Sequence, residues 1–165
     1  MAIKLPHFGI IDEASLDEYY DTAIDLNGRQ INVDLNFDNK TIDIKRLEIV
    51  KHFIENIRIH DLNNKKHIQN DFDDIAGDTV RSYIVNHLED LATDELEELI
   101  GSNTKTSDQP KLLLKQLQLV RVGLYPDSET QFATFDYSLG KTLTDYLVVI
   151  VTDENGNLDY ITMES

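Results

Sequence analysis

Between Arg29 and Arg58 the apolar side chains change their spacing, and few architectures accommodate that change. In RQINVDLNF, Ile31, Val33, Leu35 and Phe37 alternate with Gln30, Asn32, Asp34 and Asn36, the period of a strand with one buried face. From Asp43 onward Leu47, Val50, Ile54 and Ile57 fall three and four apart, with Lys45, Lys51, Glu55 and Arg58 between them. That spacing predicts an amphipathic helix. Strand-period sequence therefore stops and helix-period sequence begins within a few residues.

The same reading extends to both ends. YDTAIDL precedes the alternating segment, and Asn27-Gly28 between the two is the dipeptide favoured in two-residue hairpin turns, whose central residues both need positive φ. A second helix is predicted over about Leu62 to Ile75 on the stripe Ile68, Phe72 and Ile75, ending near Gly77. A third begins at Asp78, a suitable N-cap, and follows Val80, Ile84, Leu88 and Leu91. SNTKTSDQP, residues 102–110, reads as a loop. After it LLLKQLQLVRVGLY, FATFDYSL and YLVVIVTDENGNLDYITME supply three or four strands rich in β-branched and aromatic residues. Leu147 to Val151, apolar at every position, is expected to be covered on both faces, and Asn155-Gly156 repeats the hairpin signal. Strands segregated from helices predict a single α+β domain over residues 1–165: an N-terminal hairpin, three to four central helices and a C-terminal antiparallel meander, with the first strand after the helices a candidate to join the hairpin in one sheet.

A chain of 165 residues can bury about 68 to 70% of its unfolded surface without a metal or disulfide staple. It has no cysteine, which removes disulfides, thiol catalysis and zinc-thiolate or iron-sulfur sites, and suits a reducing compartment. The opening MAIKLPHFG lacks the apolar run of roughly 7 to 15 residues of a signal peptide, and no segment approaches the ~18 apolar residues of a membrane span. The expectation is a soluble cytoplasmic protein with no membrane partner. Thirty-one acids against fifteen bases argue against nucleic acid, since phosphate affinity comes from clustered lysine and arginine. A basic protein is the better partner.

Catalytic signatures are sparse. None of the seven serines lies in G-x-S-x-G, and the seven glycines never reach phosphate-loop or dinucleotide spacing. On a helix from His60, the side chains of His60, His67, Asp71 and Asp74 fall within about 60° of one another, a stripe that suits a metal-dependent enzyme or hydrolase. It spans more than three turns at ~5.4 Å each, so only His67 with Asp71 or Asp74 is placed to share one ion. Asp153, Asn155, Asn157, Asp159 and Glu164 have some of the spacing of a calcium loop. Its sixth position is Leu158 where glycine is needed, and its flanks read as strands, so a hairpin turn is the better reading. No cofactor is implied.

The charge is strongly local. Residues 41–70 hold four acids and six bases, whereas residues 71–101 hold ten acids and one base. Within the latter, HLEDLATDELEELIG carries six carboxylates in fifteen positions. One unbroken helix from Val80 would turn Glu95 and Glu98 onto the buried face, at several kcal/mol each. A stop near Ala92 and a restart with Thr93 as N-cap resolves the conflict. It puts Asp94 and Glu95 in a first turn, where the helix dipole favours them, and gives Leu96, Leu99 and Ile100 a new apolar side ending at Gly101. Glu89, Asp90, Glu97 and Glu98 are left without a structural reason and are the candidate partner-binding residues.

Leu5-Pro6-His7-Phe8-Gly9, Tyr19-Tyr20, Asn27-Gly28-Arg29 and Asp34-Leu35-Asn36-Phe37, followed by NDF and GDTVRSYIVNHLEDL, resemble a bacterial family of small cytoplasmic proteins catalogued as domain of unknown function two-thousand-and-four. The resemblance is strongest from Leu5 to Leu91 and implies no activity, cofactor or catalytic residue. Families of similar size, acidity and α+β form include immunity proteins that neutralise bacterial toxins, an analogy of layout alone. Three functions follow as expectations: a non-enzymatic interaction protein with an acidic helical face, a metal-dependent enzyme using the His60/His67/Asp71/Asp74 stripe, or a structural, oligomeric role.

Overall fold

The computed structural model describes the whole chain, Met1 to Ser165. It opens with a small antiparallel hairpin, β1 (Ala2–Leu5) and β2 (Gly9–Asp12), turned by positive φ at His7 and Gly9. The alternation test does not reveal this hairpin because four-residue strands are too short to show a period. The hairpin predicted at Asn27-Gly28 is formed by β3 (Tyr19–Leu26) and β4 (Arg29–Asn36), with φ of 53° and 82° at the two turn residues.

Five helices follow: α1 (Ile44–Glu55), α2 (Ile57–Asp73), α3 (Thr79–Asp90), α4 (Thr93–Ile100) and α5 (Gln109–Leu114). Asp43 caps α1, its carboxylate accepting from the Lys45 amide at 3.0 Å. A break at Asn56 makes Ile57 the first residue of α2 rather than the end of the first stripe. The second helix also stops earlier than its apolar spacing predicts, and Ile75 is fully exposed. Asp74 accepts from the Ala76 amide at 3.0 Å, a local turn that competes with another helical residue.

Four strands complete the chain: β5 (Gln118–Leu124), β6 (Ala133–Ser138), β7 (Leu147–Thr152) and β8 (Leu158–Glu164). The sheet order is β3-β4-β5-β6-β7-β8. All neighbours are antiparallel except β4 and β5, which run parallel in the register Val33 to Val122 and Leu35 to Leu124. All five helices lie in the β4 to β5 connection, as a parallel crossover requires. The strand expected from Leu112 is corrected in part. Leu112 to Leu114 belong to α5, which Pro110 opens with its fixed φ, and the strand starts only at Gln118.

The helices cover one face of the sheet. Phe53 of α1 packs on Phe132 and on Phe135 of β6, and Asp61 of α2 reaches Tyr137 of β6. Ile31, Val33, Leu35, Val122, Phe135, Tyr137, Val148 and Ile150 join this core. Val149 and Val151 are equally buried but stand apart from it, on the opposite face. The two-sided burial expected of Leu147 to Val151 therefore holds from Val148 onward.

Candidate functional site

The acidic run divides as its sequence predicts, between α3 and α4, with one shift. Ala92 occupies the cap position and Thr93 is the first helical residue. Alanine has no side-chain acceptor, so the cap is made from the other direction: Glu95 Oε1 accepts from the Ala92 amide at 2.9 Å. Leu96, Leu99 and Ile100 pack against the core, and Gly101 ends the helix at φ 87°.

Glu89, Asp90, Glu97 and Glu98 are all exposed. Glu89 and Asp90 border a cleft of about 220 Å³ that also includes Asn86, His87, Tyr146 and Met163. Glu97 borders a second, of about 310 Å³, beside Leu88, Leu91 and Leu96. Glu98 lines neither. The ion pairs of the molecule join Met1 to Glu13, Arg46 to Glu154, Lys65 to Asp61, and Arg121 to Asp34 and Asp136. None reaches the α3–α4 carboxylates, whose field is therefore unneutralised within the chain.

The histidine-aspartate stripe does not assemble. His60 stacks on Phe53 with ring centroids 4.0 Å apart, and burial, then the neighbouring His52, holds its pKa below the ordinary histidine value. Asp71 Oδ2 accepts from the Val80 amide at 2.9 Å and so caps α3, the part expected of Asp78. Asp74 makes the turn described above. No three histidine, aspartate or glutamate groups anywhere are close enough to share a metal ion. The Asp153 loop is the β7–β8 hairpin turn: Asp153 accepts from the Asn155 and Asn157 amides at 2.9 Å and from Asn157 Nδ2 at 3.1 Å. Burial pulls its pKa up, but these bonds outweigh it and hold the carboxyl below the ordinary value. Asp159 and Glu164 lie in β8.

Three buried polar groupings escape sequence reasoning. On the sheet face opposite the helices, Arg121 bonds Asp34 through Nε at 2.7 Å and Nη2 at 2.9 Å, and Asp136 through Nη1 at 3.2 Å. The guanidinium lies over Gly123, where a Cβ would come within 2.5 Å of Nη2. Burial would lower the Arg121 pKa, but Asp34 and Asp136 raise it; burial raises that of Asp136 against the pull of Arg121. Alternation marks Asp34 as wet, and only the β4–β5 pairing shows it covered.

The second grouping is at His87, where Nδ1 donates to the Tyr83 carbonyl at 2.6 Å because that oxygen only accepts. His87 Nε2 shares a hydrogen bond with the Thr144 hydroxyl at 2.8 Å, and Thr144 Oγ1 accepts from the Tyr146 amide at 3.1 Å. The third joins α2 to the sheet: Tyr137 donates to Asp61 at 2.7 Å, while Asn64 beside them is fully buried with neither amide atom hydrogen-bonded.

Set against family models, curated proteins and solved structures, the chain matches none of them. No helix is long and apolar enough to cross a membrane.

Proposed function

We propose that this protein is a non-enzymatic, cytoplasmic interaction protein that receives a basic protein partner on the carboxylates Glu89, Asp90, Glu97 and Glu98, with toxin neutralisation of the immunity type as its specific form. Membership of the family named above is part of the proposal and adds no chemistry to it. The observation that carries the reading is the pairing pattern. Four exposed carboxylates on adjoining helices have no cation within the chain, while every ion pair in the molecule lies elsewhere. Clefts of mixed lining beside three of them, with Leu88, Leu91 and Leu96 in one and Tyr146 and Met163 in the other, offer room for the aliphatic stems of lysine or arginine. Such a face gains its effect mainly in association rate, through a field that draws an oppositely charged surface.

The test is capture of partners from the native lysate on wild-type protein and on a variant with Glu89, Asp90, Glu97 and Glu98 each changed to Lys. A basic protein retained by the first and lost by the second, with association falling about tenfold or more between low and high salt, supports the reading. Binding indifferent to both salt and charge reversal removes it. A single mass in solution for the isolated chain, one copy, separates this function from a purely oligomeric role.

A further inference from the structure

Away from the acidic face, a cleft of about 240 Å³ opens between the second half of α2 and the α5–β5 connection, lined by Lys65, Ile68, Gln69, Leu114, Lys115 and Leu117. Its apolar wall is real core surface, since Ile68, Leu114 and Leu117 are all nearly buried. Both ionisable groups on the lining are lysines, in a chain whose net charge is −16. Lys65 meets Asp61 only at 3.5 Å, which leaves most of its three donors for another acceptor, and Lys115 has no carboxylate partner.

We propose that the α2/α5 cleft binds a small molecule with an apolar body and a carboxylate head, the body against Ile68, Leu114 and Leu117 and the head between Lys65 and Lys115. The ligand class follows from the lining: an apolar wall selects a hydrocarbon body, and two lysines without an intervening acid select an anion.

Octanoate is the probe, with octanol and octylammonium as its neutral and cationic counterparts, titrated into the whole chain and followed by amide NMR. Octanoate shifts the resonances of Lys65, Ile68, Gln69 and Leu114 to Leu117 saturably, and octanol binds about tenfold or more weakly. Lys115→Glu, a surface change that leaves the Asp61–Lys65 pair alone, weakens octanoate by a similar factor without disturbing the rest of the spectrum. Octanol binding as tightly as octanoate, shifts scattered over the surface, no saturable shift, or Lys115→Glu binding like wild type overturns the proposal.

Discussion

Arg121 is the residue on which the outer sheet face depends. Asp34 is completely buried; its carboxylate is neutralised by the Arg121 guanidinium and also accepts a hydrogen bond from Asn36 Nδ2 at 2.7 Å. Changing Arg121 to Met leaves that charge uncompensated and is expected to cost about 3–5 kcal/mol, read as a lower urea midpoint. Replacing Asp34, Arg121 and Asp136 together with apolar residues of similar volume recovers most of the loss. Two tyrosines give a pH signature. Burial lifts Tyr83 to about 12, and burial followed by Asp61 lifts Tyr137 well above the ordinary value of 10. Above pH 10 the unfolded chain releases these protons and the native chain keeps them, so native stability is full below pH 10 and falls as pH rises toward 12. Urea midpoints measured across this range should decline steeply, and Tyr137→Phe should flatten the decline. An unchanged slope in that variant would refute the assignment of Tyr137.

At the scale of elements, α1 is capped by its own N-cap residue, Asp43, whereas the starts of α3 and α4 are secured by carboxylates from other positions than the cap itself. Asp71 lies nine residues before Val80 and caps α3 across the turn between helices. Asp71→Ala is expected to destabilise by about 1 kcal/mol and to speed amide exchange in the first turn of α3, whereas Asp71→Asn keeps an acceptor and most of the stability. The break between α3 and α4 was legible because an unbroken helix buries Glu95 and Glu98 on one side, a conflict visible in spacing alone. The residue at which it occurs was not, because the deciding bond from Ala92 to Glu95 Oε1 depends on a side-chain torsion. Helix α5 was hidden for a different reason: three consecutive leucines satisfy a strand or a short buried helix equally, and packing against α3 and α4 chooses.

Across the whole molecule the negative charge has a cost as well as a use. Changing Glu89, Glu97 and Glu98 to Gln and Asp90 to Asn removes repulsion along α3 and α4 and should stabilise the free protein by about 0.5–1 kcal/mol at low salt, with the gain disappearing near 1 M salt. Circular dichroism melts at the two ionic strengths measure this. A loss of stability in the neutral variant would show that these carboxylates hold the fold together, and would leave no surplus charge for a partner. The two surfaces proposed for binding are far apart in character: one exposed, acidic and beside α3 and α4, the other a lysine-lined cleft with an apolar wall at α2 and α5. Salt and charge reversal act on the first, whereas exchanging a carboxylate for an alcohol acts on the second.

Local periodicity determined the α+β class, the Asn27-Gly28 hairpin, the helical middle and the separation of α4 from α3, because each is decided by residues within a few positions of one another. The exposed carboxylates were legible for the same reason. Tertiary structure alone decided the parallel union of β4 with β5, and with it the meeting of Asp34, Arg121 and Asp136 from three strands. It also brought Asp61 and Asn64 over Tyr137, and opened the lysine-lined cleft between α2 and α5. In each of these the partners stand tens of residues apart, and no spacing rule reaches across the loops that bring them together.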